Sequence, residues 1–209
     1  MNSDVVLKLG GSLIDCVSIL INKIDEHAKG ENRSVLIVPG GAVFANNIRT
    51  FQAASGISDE AAHWMAVLAM EQYAYYLADR TGISFSEDLE NKNIGVNVLL
   101  PYQLLRKINS GLDHSWNVTS DTISAWVAHK IGRRLIKVTD VDGIYIDGDL
   151  LSQVNAAELV DREATCVDKG LPSFLVEHNM DCMVVNGKYP GCVLAALDGD
   201  TTVGTLISG

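Results

Sequence analysis

A run of apolar, largely β-branched residues that ends in two glycines occurs twice within the first 41 residues. Val5-Val6-Leu7-Lys8-Leu9 leads into Gly10-Gly11-Ser12, and Val35-Leu36-Ile37-Val38-Pro39 leads into Gly40-Gly41. A stretch that reads as helix follows each. The repeated order strand, turn, helix commits the chain to a layered α/β fold. At such a turn the backbone can be approached closely, and the helix N-terminus behind it favours anions. Two such turns suggest a site that grips two phosphate-bearing groups at once.

Strand and helix alternate to the end of the chain. Strands are expected at 4–9, 34–38, 95–100, 134–138, 182–185 and 203–207, with helices at 13–29 and 42–54. Ser58 reads as an N-cap, with Asp59 and Glu60 in a first turn where the helix dipole favours acids. That helix runs to Asp79 and stops at Thr81-Gly82. Residues 84–93 read as a polar loop. Pro101 opens a helix, and further helices are expected at 120–131, 155–160, 170–178 and 190–197. The alternation implies a mostly parallel sheet covered on both faces. No linker rich in Pro, Gly or Ser divides the chain, so 1–209 reads as one domain. Residues 1–132 would hold an acceptor and 133–209 a nucleotide.

A chain of 209 residues with formal net charge −10 can bury a large core but offers no basic face for a nucleic-acid backbone. An acidic protein that binds phosphate must concentrate its few positive charges, which gives weight to any lysine beside a glycine turn. Cys16, Cys166, Cys182 and Cys192 form no C-x-x-C pair and read as reduced thiols, neither a disulfide framework nor a metal site. No leader signal and no apolar run long enough to span a bilayer is visible, so a cytoplasmic protein is expected.

Lys8 interrupts a strand in which side chains of both parities should be apolar, and an unpaired interior ammonium is costly. An anion is therefore expected beside it. Gly10, Gly11, Gly40 and Gly41 belong to neither a G-x-x-x-x-G-K-[ST] loop nor a G-x-G-x-x-G fingerprint. Ser12 could add a hydroxyl to the first turn or cap its helix. Asp121, in Thr119-Ser120-Asp121-Thr122, stands at a helix start, where it either serves the dipole or orients buried lysines. Thr139, Asp140, Asp142, Gly143, Ile144 and Tyr145 follow a buried strand, at the end where open α/β sheets bind ligands. An ordinary turn is the competing reading, and the acids do not continue as an EF-hand. Arg49 could face an acceptor anion or solvent. His63, on the long helix, reads as a satisfied or exposed histidine or as an acceptor-binding one, while His114 and Trp116 precede Asp121 and could line an acceptor pocket.

In this order, KLGGS, PGG, TSD and TDVDGIY resemble the amino acid kinase family, from Val5 to Ile207. The resemblance implies a three-layer αβα sandwich, ATP as phosphoryl donor with Mg²⁺, and a homodimer formed through the helix near 58–79. It implies that Lys8, Gly10 and Gly11 meet the transferring group and that Gly40 and Gly41 hold the acceptor. Asp121 would organise a catalytic lysine, and Asp140 to Tyr145 would begin the nucleotide pocket. Many members carry a second lysine in a glycine-methionine-rich segment. Here that region reads Thr165-Cys166-Val167-Asp168-Lys169-Gly170, which leaves Asp168 and Lys169 without an assigned role.

Further residues, among them Asp113-His114-Ser115-Trp116 and Val184-Val185-Asn186-Gly187, resemble the family's short kinases of an amine-bearing phosphomonoester. Asp59, Glu60 and Glu71 are the carboxylates that could meet the amine. A phosphate acceptor is already ionised near neutral pH and needs no general base, which fits the lack of an obvious one at the glycines. Isopentenyl phosphate, a nucleoside monophosphate, or binding of a nucleotide or oxyanion without turnover stay open beside it.

Overall fold

The computed structural model describes residues 4–90, 93–160, 162 and 165–209. The ten strands are β1 (Val5–Leu9), β2 (Ser34–Pro39), β3 (Ser84–Ser86), β4 (Gly95–Leu99), β5 (Arg134–Thr139), β6 (Tyr145–Ile146), β7 (Asp149–Leu150), β8 (Gln153–Asn155), β9 (Cys182–Asn186) and β10 (Thr205–Ser208) among the described residues. The helices are α1 (Val17–Gly30), α2 (Ala42–Ser55), α3 (Asp59–Thr81), α4 (Pro101–Lys107), α5 (Ser120–Ile131), α6 (Gly170–His178) and α7 (Pro190–Asp198).

Eight of these strands form one sheet in the order β3-β4-β2-β1-β5-β9-β10-β8, parallel except where β10 meets β9. The chain runs from β1 to its neighbour β2, passes out to β3 at the edge, comes back to insert β4 between β3 and β2, and then places β5 on the other side of β1. That reversal opens a crevice at the carboxyl ends of β1 and β5, the position where ligands of open α/β sheets bind.

Strand parity divides the core in two. Val5, Leu7 and Leu9 of β1 face a cluster with Val17, Leu20 and Ile24 of α1 and Val193 and Leu197 of α7. Val6 faces the opposite cluster with Ile123 and Trp126 of α5 and Leu171 and Leu175 of α6. Lys8 shares the parity of Val6, so its side chain points to the α5 layer. Every residue of β1 is buried, as expected for a central parallel strand. Among the described residues no helix is long and apolar enough to cross a membrane.

Three local expectations are corrected, and one element is new. The helix after the first glycine pair begins at Val17, because Gly11–Leu13 tightens into a 3-10 turn that drives Leu13 into the core. Residues 84–93 are not all loop: β3 pairs in parallel with β4, and Phe85 packs on Tyr75 at 4.8 Å. Residues 91 and 92 of that segment lie outside the described residues. A helix at 155–160 shrinks to a 3-10 turn over Ala156–Glu158, since Asn155 ends β8 and its side chain accepts from the Ala157 N–H at 2.8 Å. Finally, β6 and β7 form a hairpin whose Asp147-Gly148 turn has φ of 53° and 92°, the positive values that a type I′ turn requires.

Candidate active site

Lys8 of β1 and Lys137 of β5 are direct register neighbours on adjacent parallel strands and point to the same face. Two ammonium groups side by side in a core need an anion between them. Asp121, in the first turn of α5, supplies it. Its Oδ1 accepts from Lys8 Nζ at 2.8 Å and from Lys137 Nζ at 2.6 Å, and all three side chains are at least nine-tenths buried. Burial alone would raise the Asp121 carboxyl, but Lys137 and then Lys8 hold it well below the usual carboxylate range. Burial is also the main influence lowering Lys8 below an ordinary lysine, and Asp121 offsets it in part. For Lys137 burial again pulls down, but the attraction and hydrogen bond of Asp121, with smaller help from Cys166 and Asp168, together raise it. With both lysines protonated, the triad carries one net positive charge at the crevice.

Asp168 locks this arrangement. Its N–H donates to Asp121 Oδ2 at 3.0 Å. Its carboxylate accepts from the Thr119 N–H and hydroxyl at 2.8 Å each and from the Thr122 hydroxyl at 2.6 Å. The segment after β8 is thereby tied to the start of α5. Burial, followed by the like charge of Asp121, raises the Asp168 carboxyl.

The glycine pairs divide their work. The Gly10 N–H donates to Val138 O and the Gly40 N–H to Leu9 O, both at 2.8 Å, so the first glycine of each pair extends the ladder. The two turns also abut. A Cβ on Gly11 would stand 2.3 Å from Ala42 Cα, and one on Gly40 would stand 3.1 Å from Gly11 N. Bare backbone is required there for one turn to reach the other.

Two neighbouring cavities open at this place. The larger, about 660 Å³, is lined by Lys8, Gly10, Gly11, Ser12, Asp121, Lys137, Thr139, Asp168 and Lys169 among others. The smaller, about 170 Å³, is lined by Gly41, His63, Ala66, Val67, Met70 and Ile123 among others. Asn46, Arg49, Trp116 and Thr119 line both. Arg49 lies with its guanidinium 4.4 Å over the Trp116 ring, and Trp116 Nε1 donates to Gln52 Oε1 at 2.5 Å. His63 stacks on His114 at 4.3 Å, and His114 Nδ1 pairs with Glu60. Burial and then His114 push the His63 imidazole down to about 4.

Of the six residues read as a nucleotide pocket, Thr139 lines the larger cavity. Ser12, also on that cavity, is the foremost influence holding the Asp140 carboxyl low. Asp142 accepts from Asn186 Nδ2 at 2.8 Å and from the Tyr145 hydroxyl at 3.3 Å. Gly143 and Ile144 are packed against Thr205, whose hydroxyl accepts from the Ile144 N–H at 2.8 Å. Gly40 lines neither cavity. Among the carboxylates considered for an amine, Glu71 accepts from the Tyr102 N–H at 2.7 Å at the start of α4, and Asp59 accepts from Gln52 Nε2 at 2.8 Å.

Sequence reasoning missed Lys137. The signal was present, because Lys137 interrupts Leu135-Ile136-Lys137-Val138 as Lys8 interrupts Val5–Leu9. The two paired interruptions become one site only when β1 and β5 are known to be neighbours.

An open α/β sheet with buried lysines and bare glycine turns at its switch point defines a phosphate-handling fold. Residues 4–186 match the amino acid kinase family, and the chain belongs to it. It is 34% identical to the [5-(aminomethyl)furan-3-yl]methyl phosphate kinase of Methanocaldococcus jannaschii, over 98% of this chain and 97% of that one. It is 26% identical to a uridylate kinase of Thermofilum pendens, over 97% and 96%. The fold is that of uridylate kinase from Archaeoglobus fulgidus, with TM-score 0.73 and 22% identity over 97% of this chain and 99% of that one. The relatives are phosphotransferases.

Proposed function

We propose that the chain transfers the γ-phosphoryl group of ATP to [5-(aminomethyl)furan-3-yl]methyl phosphate, giving the diphosphate, as a step of methanofuran biosynthesis. The observation that carries this reading is the pair of buried ammonium groups on one carboxylate at the crevice floor. Transfer between two phosphates brings mutually repelling anions together, and the protein's contribution is alignment and neutralisation. Lys8 and Lys137 supply fixed positive charge, and Asp121 holds them aimed without cancelling both.

Arg49 and the Gly41 turn would receive the acceptor phosphate where the two cavities meet. Residues after 133, with Thr139 and Ser12 on the larger cavity and Asp140 beside Ser12, would receive the nucleotide. Among the described residues no three His, Cys, Asp or Glu side chains converge as a cation cage. Mg²⁺ is usually held by substrate phosphates, waters and one or two carboxylates. It would neutralise charge on the transferring group. A homodimer would use α3, where Leu68 and Tyr75 are exposed apolar side chains.

The identity of 34% to the furan phosphate kinase, near full length on both sides, supports this acceptor. The test is incubation with Mg-ATP and a panel of small phosphates read by mass spectrometry. Formation of ADP with the furan diphosphate is expected. Preferential turnover of isopentenyl phosphate or UMP would replace the acceptor, and ATP retained with no ADP formed would mean a binding protein.

A further inference from the structure

Resting on that reading of the acceptor, we propose that His63 is its specificity-determining residue, taking the acceptor's ammonium end on a ring nitrogen. His63 is 8% exposed and lines the smaller cavity only, whereas Arg49 lies where both cavities meet. No hydrogen-bond partner occupies its ring nitrogens among the described residues; its contacts are ring contacts, with His114 at 4.3 Å and Trp64 at 5.3 Å. The ring lines the cavity with its nitrogens unclaimed by the described residues, which leaves them open to a ligand there.

The rest of that cavity sets the chemistry of the ligand. Ala66, Val67, Met70 and Ile123 give an apolar wall suited to a flat ring. The imidazole is neutral near pH 7, since burial and His114 push it down to about 4, so one nitrogen keeps a lone pair that accepts an N⁺–H donor. Behind it, the Glu60 carboxylate pairs with His114 and accepts from Trp64 Nε1 at 2.7 Å, which puts negative charge at this end. The cavity is thus polarised, with the Arg49 guanidinium and the Gly41 turn toward the phosphoryl site and an imidazole backed by a carboxylate at the other end. A molecule with phosphate on one arm and ammonium on the other matches that order.

The test compares the furan phosphate with an analogue carrying methyl in place of aminomethyl. Wild type is expected to favour the amine. His63→Phe is expected to raise KM for the amine substrate about tenfold, the scale of a lost hydrogen bond to a charged group. KM for the methyl analogue and for ATP should stay unchanged. His63→Gln, whose carbonyl also accepts, should keep part of the preference. An equal rise of KM for both acceptors, or a preference intact in His63→Phe, overturns the assignment. Should His63→Phe not fold, Glu60→Gln decides: a preference lowered about threefold supports it, and an unchanged preference overturns it. A wild type that does not turn over the furan phosphate refutes the acceptor reading, and this assignment with it. Turnover with preferences indifferent to every variant refutes this assignment alone.

Discussion

Lys8→Met and Lys137→Met are each expected to lower kcat at least a hundredfold while the protein stays folded. Removing one preorganised donor at developing charge raises a barrier by roughly 3 kcal/mol, and each of these donors also carries a full charge. Asp121 keeps one partner in either variant, so its carboxylate is not left buried and unpaired. Steady-state rates with Mg-ATP and the acceptor, beside a thermal melt, check the pair. Near-normal turnover in either variant would remove that lysine from the chemistry. The same triad sets an alkaline limit. Lys8 must be charged to act, so the rate is full below its lowered value and falls as pH rises through it. Asp121→Asn removes the attraction that offsets burial and is expected to move this limb to lower pH.

Gly11→Ala is expected to cost about 1–3 kcal/mol of stability, as overpacking does, and to abolish most activity. The new Cβ would lie 2.3 Å from Ala42 Cα and 2.6 Å from Ala42 N, so backbone, not a flexible side chain, would have to move. Ala42 already sits at φ 46° and has little freedom to yield. Moving it shifts the start of α2, which carries Arg49. Gly30→Ala is the control: no atom lies within 4 Å of its Cβ position, at the end of α1. It should be neutral or slightly stabilising. Equal behaviour of the two variants in melting and turnover would show that the contact between the turns is unimportant.

Elements fixed by local chemistry were legible in the sequence. The Ser58 cap was readable, and its Oγ accepts from the Ala61 N–H at 3.2 Å. So were Pro101 at a helix start and the stop at Gly82, which adopts φ 75°. Strands β3 and β8 were not, because three-residue edge strands have no measurable period. The need for an anion beside Lys8 could be read from burial alone. Its identity required the register of β1 on β5 and the placement of α5 above them. The use of Gly10 and Gly40 amides within the ladder was hidden for the same reason, since their acceptors Val138 and Leu9 belong to the neighbouring strands β5 and β1.

The two ammonium groups sit on hydrogen-bonded neighbours in the middle of the sheet, about 4.8 Å apart in backbone. That spacing cannot open or close without breaking the ladder that holds the whole fold together. On the proposed function, the pair would act as a ruler for the distance between adjacent phosphates. Adjustment on substrate arrival would then fall to the lysine side chains and the surrounding layers, while the backbone mark stays fixed.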